Sequence, residues 1–341
     1  MTSTDAACGL RIFTTCPPSA LAYAGTSLRR LQQIANWSEA AGCEGILVFT
    51  DNSQLDPWLV SQAIIAGTKR LCPLVAVQPA YMHPYTVAKM ITTMASLHGR
   101  RLHLNMVAGG FKNDLEALDD RTPHDDRYLR LAEYTTIIQR LVGSREPLTF
   151  EGRYYRVKNL KLTPPLAEEL VPDVFVSGSS ESGMAAAREL NAVAVEYPKP
   201  ADEYAGDRDD RQRCGLRIGI IARERDAKAW AMARARFPED RKGQLAHQLA
   251  MQVSDSRWHR QMSALATTAE SREHPYWLVP FQNYKAMCPY LVGSYDRVAD
   301  ELVRYVESGF RTFILDEPAS AEEIKHTGIA FERVMARCAA A

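Results

Sequence analysis

The sequence predicts an α/β fold, a closed (β/α)8 TIM barrel with an extended loop and helical insertion between its seventh and eighth strands. Three observations carry that expectation. Eight short, mostly apolar runs are spread along the chain, and nearly every one is followed by a stretch of helical periodicity. Unbroken apolar strands alternating with amphipathic helices describe a parallel sheet covered on both faces. At 341 residues, a closed barrel is favoured over the alternative, an open doubly wound sheet.

The strands are expected at Leu10–Thr14, Gly45–Phe49, Cys72–Val77, Leu102–Val107, Asp173–Ser177, Ala192–Val195, Arg217–Ala222 and Thr312–Leu315. Ser27 is a plausible N-cap for a helix over Leu28–Ala41, with Leu28, Leu31, Ile34 and Ala35 on one face. Pro57 and Pro84 stand where a first-turn proline starts the helices Trp58–Ala66 and Tyr85–Ser96. Further helices are expected over Tyr128–Val142, Ser180–Leu190, Asp226–Phe237, Tyr295–Ser308 and Glu322–Ala336. Three segments fall outside the repeat. Leu148–Lys158, with Gly152 at its centre, reads as a β-hairpin. Ala201–Arg213 reads as a polar loop. Pro238–Pro289, which carries Trp258, Trp277, Phe281 and Tyr284, is long enough to cover a pocket as a lid. No longer repeat or low-complexity tract divides the chain, so one domain over 1–341 is expected.

Composition excludes several classes. The chain is 46% hydrophobic and 24% charged, the balance of an ordinary globular protein. Lys+Arg and Asp+Glu are equal at 41 each, so no global charge recruits nucleic acid or an anionic membrane. No run of about 18 apolar residues exists to span a bilayer. The N-terminus lacks the basic-then-apolar order of a secretory signal. Seven cysteines are scattered singly without a CxxC pair, the usage of reduced thiols in the cytoplasm. The histidines His98, His103, His247, His259 and His326 show no metal-ligand spacing, and no metal site is expected.

Chemistry concentrates at the carboxyl ends of the strands. Asn105 lies near the end of an apolar strand, where an unpaired amide is expensive. It needs either a ligand or a hydrogen bond to a neighbouring loop. Ser177-Gly178-Ser179-Ser180 precedes a helix, so its N–H groups and hydroxyls can hold a phosphate at the positive helix end; a serine cap without a ligand explains it equally well. Arg127, followed by Tyr128, can close the other side of the same phosphate or stand on the surface beside Asp125 and Asp126. His83, after the third strand, suits proton transfer or substrate contact, or is a loop histidine. Arg217 can face an anionic substrate or form a salt bridge at the opposite end of the barrel. The GxxxxGK[ST] phosphate loop, the GxGxxG dinucleotide turn and the GxSxG nucleophile elbow are all missing.

Taken in order, these segments resemble the flavin-dependent, bacterial luciferase-like monooxygenases, with the alkanesulfonate monooxygenase branch nearest. The landmarks are Gly45-Ile-Leu-Val-Phe-Thr50 with Asp56-Pro-Trp58, Leu104-Asn-Met-Val-Ala-Gly-Gly110, Asp125-Asp-Arg-Tyr128, Phe150-Glu-Gly-Arg-Tyr-Tyr155, Ser177-Gly-Ser-Ser-Glu-Ser-Gly183 and Tyr290-Leu-Val-Gly-Ser-Tyr-Asp-Arg-Val298. The resemblance implies a TIM barrel that binds reduced FMN (FMNH2) through Asn105, Arg127, Tyr128 and the Ser177–Ser180 turn. It also implies a separate NAD(P)H:flavin reductase, O2 added at the flavin C4a as a peroxide, oxygenation of a small organic substrate, and a homodimer or homotetramer. The departures from the branch are specific. Gln54 stands for a cysteine, Arg217-Ile-Gly219 for Arg-x-His, Tyr197 for a tryptophan, Glu317 for a tyrosine, and Thr14-Thr15-Cys16 offers no histidine. The flavin site is therefore carried over and the sulfonate substrate is not. His83, Arg217, Gln54 and Tyr197 are the candidates for the substrate side, and Glu317 would suit a cationic or amine-bearing substrate. An F420-dependent oxidoreductase on the same barrel, or a flavin-binding relative without catalysis, are the competing readings.

Overall fold

Strand and helix alternate throughout the protein as in a (β/α)8 barrel, which is its fold class. The structure, a computed structural model, describes residues 9–19, 27–204, 213–253 and 274–340. In chain order the elements are β1 (Arg11–Thr15), α1 (Ser27–Ala40), β2 (Gly45–Val48), α2 (Pro57–Gly67), β3 (Cys72–Val77), α3 (Pro84–His98), β4 (His103–Val107), α4 (Lys112–Ala117) and α5 (His124–Gly143). The hairpin β5 (Leu148–Glu151) and β6 (Arg156–Leu160) follows, then β7 (Val174–Ser177), α6 (Glu181–Glu189), β8 (Val193–Glu196), β9 (Cys214–Arg223) and α7 (Asp226–Arg236). The chain ends with α8 (Arg241–Val253), β10 (Tyr276–Trp277), α9 (Val279–Gln282), β11 (Tyr290–Ser294), α10 (Tyr295–Glu307), β12 (Thr312–Leu315) and α11 (Ala321–Ala340).

Two compact units can be distinguished. One comprises Met1–Thr15, Asn36–Glu44 and Val195–Ala341, the other Cys16–Ala35 and Gly45–Ala194. The second contains the parallel order β2-β3-β4-β7. All four residues of β2 are buried, as are the last five of β3 and the first four of β4, so no polar face alternates with the core. Ile64 and Ile65 of α2, Val87 and Ile91 of α3, and Leu131, Ile137 and Ile138 of α5 are buried helix faces of this unit. Each such side chain contributes about 1.5–3 kcal/mol by leaving water. Local signals start the helices. Asp56 accepts the N–H groups of Trp58 and Leu59 while Pro57 occupies the first turn. His83 does the same for Tyr85 beside Pro84.

The first unit contains the order β10-β11-β9-β12-β1, parallel except for the β10–β11 pair. β9 has ten residues, and two of its pairings divide its length. Gly215–Ile218 pair with β12, and Gly219–Arg223 pair with β11. Ile221, Ala229, Ala233, Phe237, Tyr290 and Val292 form the core between these strands and α7.

Several boundaries differ from expectation. α5 begins at His124, a turn before Arg127, with Asp125 and Asp126 at its positive end. β9 begins at Cys214, so Arg217 is its fourth residue rather than its first. α4, β10 and β11 were not anticipated, while α8 and α9 are helices within the expected insertion. β11 is a short run carrying a glycine, squeezed between the end of the expected insertion at Pro289 and the helix that starts at Tyr295. Ser27 is the first residue of α1 rather than its cap. Residues 205–212 of the polar loop, and 254–273 of the insertion with Trp258 and His259, lie outside the described residues. No disulfide joins the described cysteines, and no described helix is long and apolar enough to cross a membrane.

Candidate active site

In the unit that contains β4 and β7, parallel pairing sets Val107 opposite Ser177 and Asn105 opposite Phe175. Asn105, the middle residue of β4, is 4% exposed. Its Oδ1 accepts a hydrogen bond from Ser177 Oγ at 2.8 Å. The amide is thus held by the very turn expected to bind a ligand, and a ligand contact would come from its Nδ2.

The chain then turns sharply. Gly178 adopts φ +151°, and a Cβ built there would run into the hydroxyl of Tyr128. Gly183, one turn into α6, is also closed in: a Cβ there would press on the carbonyl of Gly178 and the ring of Tyr128. Two glycines therefore let α6 approach α5 with only the Tyr128 phenol between. Ser180 caps α6, its Oγ accepting the N–H of Gly183 at 3.1 Å. Burial pushes the Tyr128 phenol up, against opposing pulls from its hydrogen bond with Ser180 and from the Arg127 charge. Arg127 is 3% exposed, so it is a buried arginine and not a surface one. Of its acidic neighbours, Asp126 binds Arg153 in a two-pronged bridge at 3.1 Å, and Asp125 accepts from Ser182 at 2.6 Å. Ser179 Oγ is buried and finds no hydrogen-bond partner among the described residues. A guanidinium, a phenol, a serine-capped helix start and an orphaned hydroxyl suit a phosphate.

His83 is exposed, and its Nδ1 accepts the N–H of Tyr85 at 3.2 Å. The neutral ring therefore carries its hydrogen on Nε2. Gln54 follows β2, where its Oε1 accepts the backbone N–H of Ser19 at 2.8 Å and its Nε2 donates to Ser53 at 3.1 Å. It lines an open cavity of about 290 Å³ at the carboxyl ends of β2 and β3. Sequence reasoning missed Gln78 in that cavity. It is 5% exposed, and its Nε2 has no hydrogen-bond partner among the described residues. Leaving such a donor unsatisfied costs about 1–3 kcal/mol. The available signal was the one that exposed Asn105, a polar amide at the end of an apolar strand.

The other unit holds the remaining candidates. Arg217 donates to the Tyr197 hydroxyl at 3.2 Å and lies over its ring, 5.9 Å from the centroid. Burial pulls the Arg217 guanidinium down, but Tyr197, Cys288 and Asp316 together outweigh it and keep it protonated. Burial pushes the Tyr197 phenol up, so it remains a proton donor. Tyr197 directly follows β8, so Arg217 reaches toward the carboxyl end of that strand, not to a bridge at the other end. Nearby, Tyr290 donates to Asp316 at 2.5 Å, and Arg236 donates to the backbone carbonyl of Glu317 at 3.1 Å. Both contacts escaped the sequence because their partners lie 26 and 81 residues apart.

Comparison with known proteins agrees with this architecture. The pattern of the luciferase-like monooxygenase family matches residues 10–312. The chain is 35% identical over 301 residues to the 4-(γ-L-glutamylamino)butanoyl-[BtrI acyl-carrier protein] monooxygenase BtrO of Niallia circulans, covering 86% of this chain and 88% of the relative. Among solved structures, DmoA from Hyphomicrobium sulfonivorans superposes with a TM-score of 0.72 at 17% identity, over 94% of this chain and 86% of that one. The oxygenating constituent of 3,6-diketocamphane monooxygenase from Pseudomonas putida, in complex with FMN, gives 0.68 at 17% identity, over 97% and 98%. At such identities the structural likeness shows the fold; the family match and the 35% relative show descent. The chain belongs to the luciferase-like monooxygenase family and is a flavin-dependent oxidoreductase.

Proposed function

We propose that the protein is the oxygenating component of a two-component system that uses reduced FMN and O2 to oxygenate a small organic substrate. The observation that carries this reading is the orphaned Ser179 hydroxyl. It sits in a glycine-enabled turn beside a capped helix start, in the unit that also buries Arg127 and Tyr128. Arg127 would hold the FMN phosphate by charge-assisted hydrogen bonds, with Ser179 Oγ and Tyr128 as further partners. Asn105, oriented by Ser177, would offer Nδ2 to the flavin. A separate NAD(P)H:flavin reductase would supply FMNH2. The names of BtrO and of the FMN-bound camphane enzyme support this cofactor and reaction class.

When bound, reduced flavin supplies the electrons that activate O2, and one oxygen atom passes to the substrate while the other leaves as water. The protein must fix the flavin, exclude water and place the substrate. On the substrate side, Arg217 offers a fixed cation and Tyr197 a protonated phenol. Gln54 and His83 Nε2–H offer neutral hydrogen bonds. Anaerobic titration with FMNH2 and with reduced F420, followed by O2 uptake with a substrate panel, tests the proposal. Tighter FMNH2 binding with product formed per O2 consumed supports it. Preference for F420 overturns it, and O2 uptake without product leaves only a flavin binder.

A further inference from the structure

The cavity at the carboxyl ends of β2 and β3 has an internal chemistry that the proposed flavin site does not use. Gln78 is the first residue beyond β3 and lines the cavity, and its buried Nε2 has no partner among the described residues. It is a donor in search of an acceptor. Across the same cavity stand Asp51 and Asp56. Asp51 receives the N–H and the hydroxyl of Ser53 on Oδ1, at 2.7 and 2.6 Å. Asp56 receives two helix N–H groups, also on Oδ1. The second oxygen of each carboxylate is left for another donor. No Lys, Arg or His lines the cavity among the described residues, so no lining cation compensates the two charges. Tyr81 senses the same field: burial, then the charges of Asp114 and Asp51, push its phenol up to about 12. That hydroxyl donates to Asn52 at 2.8 Å and is a neutral wall. Trp58 and Met82 supply apolar surface.

We propose that this cavity is a substrate subsite selecting a molecule that carries a carbonyl acceptor for Gln78 and a protonated amine for Asp51, an aminoacyl or aminoalkyl amide. It rests on the reading of the protein as an oxygenase and names the substrate class that this oxygenase takes. The carbonyl satisfies a buried donor, which discriminates strongly against molecules lacking it. The amine meets uncompensated carboxylates, which reject an anion by like-charge repulsion.

The test uses the full-length protein, with and without FMN, and three amides of one length: 4-aminobutanamide, neutral pentanamide and anionic 4-carboxybutanamide. Binding is followed by saturation-transfer NMR and calorimetry. The amine is expected to bind at least about fivefold tighter than pentanamide, with the carboxylate weakest. Asp51→Asn should abolish the preference for the amine, Gln78→Leu should weaken amine and neutral amide alike, and neither should alter FMN affinity. Equal binding of the three amides, or the anion binding best, overturns the proposal. A Gln78→Leu protein that loses FMN while keeping the amides shows that the cavity holds flavin instead. Because amide binding requires no turnover, its failure is distinguishable from failure of the oxygenase reading, which appears as lost O2-coupled product.

Discussion

The hydroxyl of Tyr128 occupies the space in which any side chain at position 178 would have to begin. The contact joins the start of α5 to the turn before α6, and the left-handed φ of Gly178 independently disfavours a Cβ. Two separate constraints, conformational and steric, therefore act on one residue.

Gly178→Ala should destabilise the protein by about 1–3 kcal/mol, the range for a strained backbone position, before any added clash. Denaturant unfolding measures it. Tyr128→Phe in the same background should recover part of the loss, because the hydroxyl is the obstructing atom. Unchanged stability of the single variant would contradict the tight packing of this turn.

His83 separates structure from chemistry by substitution. Its Nδ1 caps α3, so His83→Ala should cost about 0.5–2 kcal/mol, and His83→Asn, which can still accept the Tyr85 N–H, should restore most of it. If His83 also moves protons, turnover should stay low in the asparagine variant although stability returns. Recovery of both assigns His83 to capping alone.

A pH-dependent contribution is expected from the Asp120–Arg130 bridge at 2.6 Å. Burial pushes the Asp120 carboxyl up, but hydrogen bonds from Arg130 and Thr122 outweigh it and hold the group below its ordinary range. A carboxyl depressed in the folded state adds stability that is complete above its unfolded value, near pH 4, and fades as pH falls through the lower folded value. Asp120→Asn should therefore cost about 1–3 kcal/mol at neutral pH and flatten the acid limb of the stability curve. An unchanged acid limb would mean the bridge is not maintained in solution.

Much of this molecule was legible in its sequence, for physical reasons that differ from element to element. The barrel strands stood out because strands buried on both faces are continuous apolar runs, as in Gly45–Val48 and Cys72–Val77. Pro57 and Pro84 marked helix starts because the ring fits only the first turn. The serine turn could be read locally, since Ser177–Gly183 contains its own cap and both glycines. What escaped depends on distance or on weak local patterning. The burial of Arg127 cannot be inferred from a neighbourhood of two aspartates. The Tyr197–Arg217 bond joins residues 20 positions apart, and the Tyr290–Asp316 bond joins residues 26 apart. Gln78 carried the same local signal as Asn105, an amide at the end of an apolar strand, but that its donor stays unsatisfied depends on residues distant in sequence.

The most direct measurement compares binding of FMN and of riboflavin, which lacks the phosphate, to the wild-type protein and to Arg127→Ala and Arg127→Lys. Arg127→Ala should weaken FMN binding by about 1.5–3 kcal/mol, roughly ten- to 150-fold, leave riboflavin within about twofold, and so erase most of the preference for FMN. Arg127→Lys should keep part of that preference, since a point charge remains without the bidentate fork. Equal losses for FMN and riboflavin, or none for either, would show that the phosphate is held elsewhere.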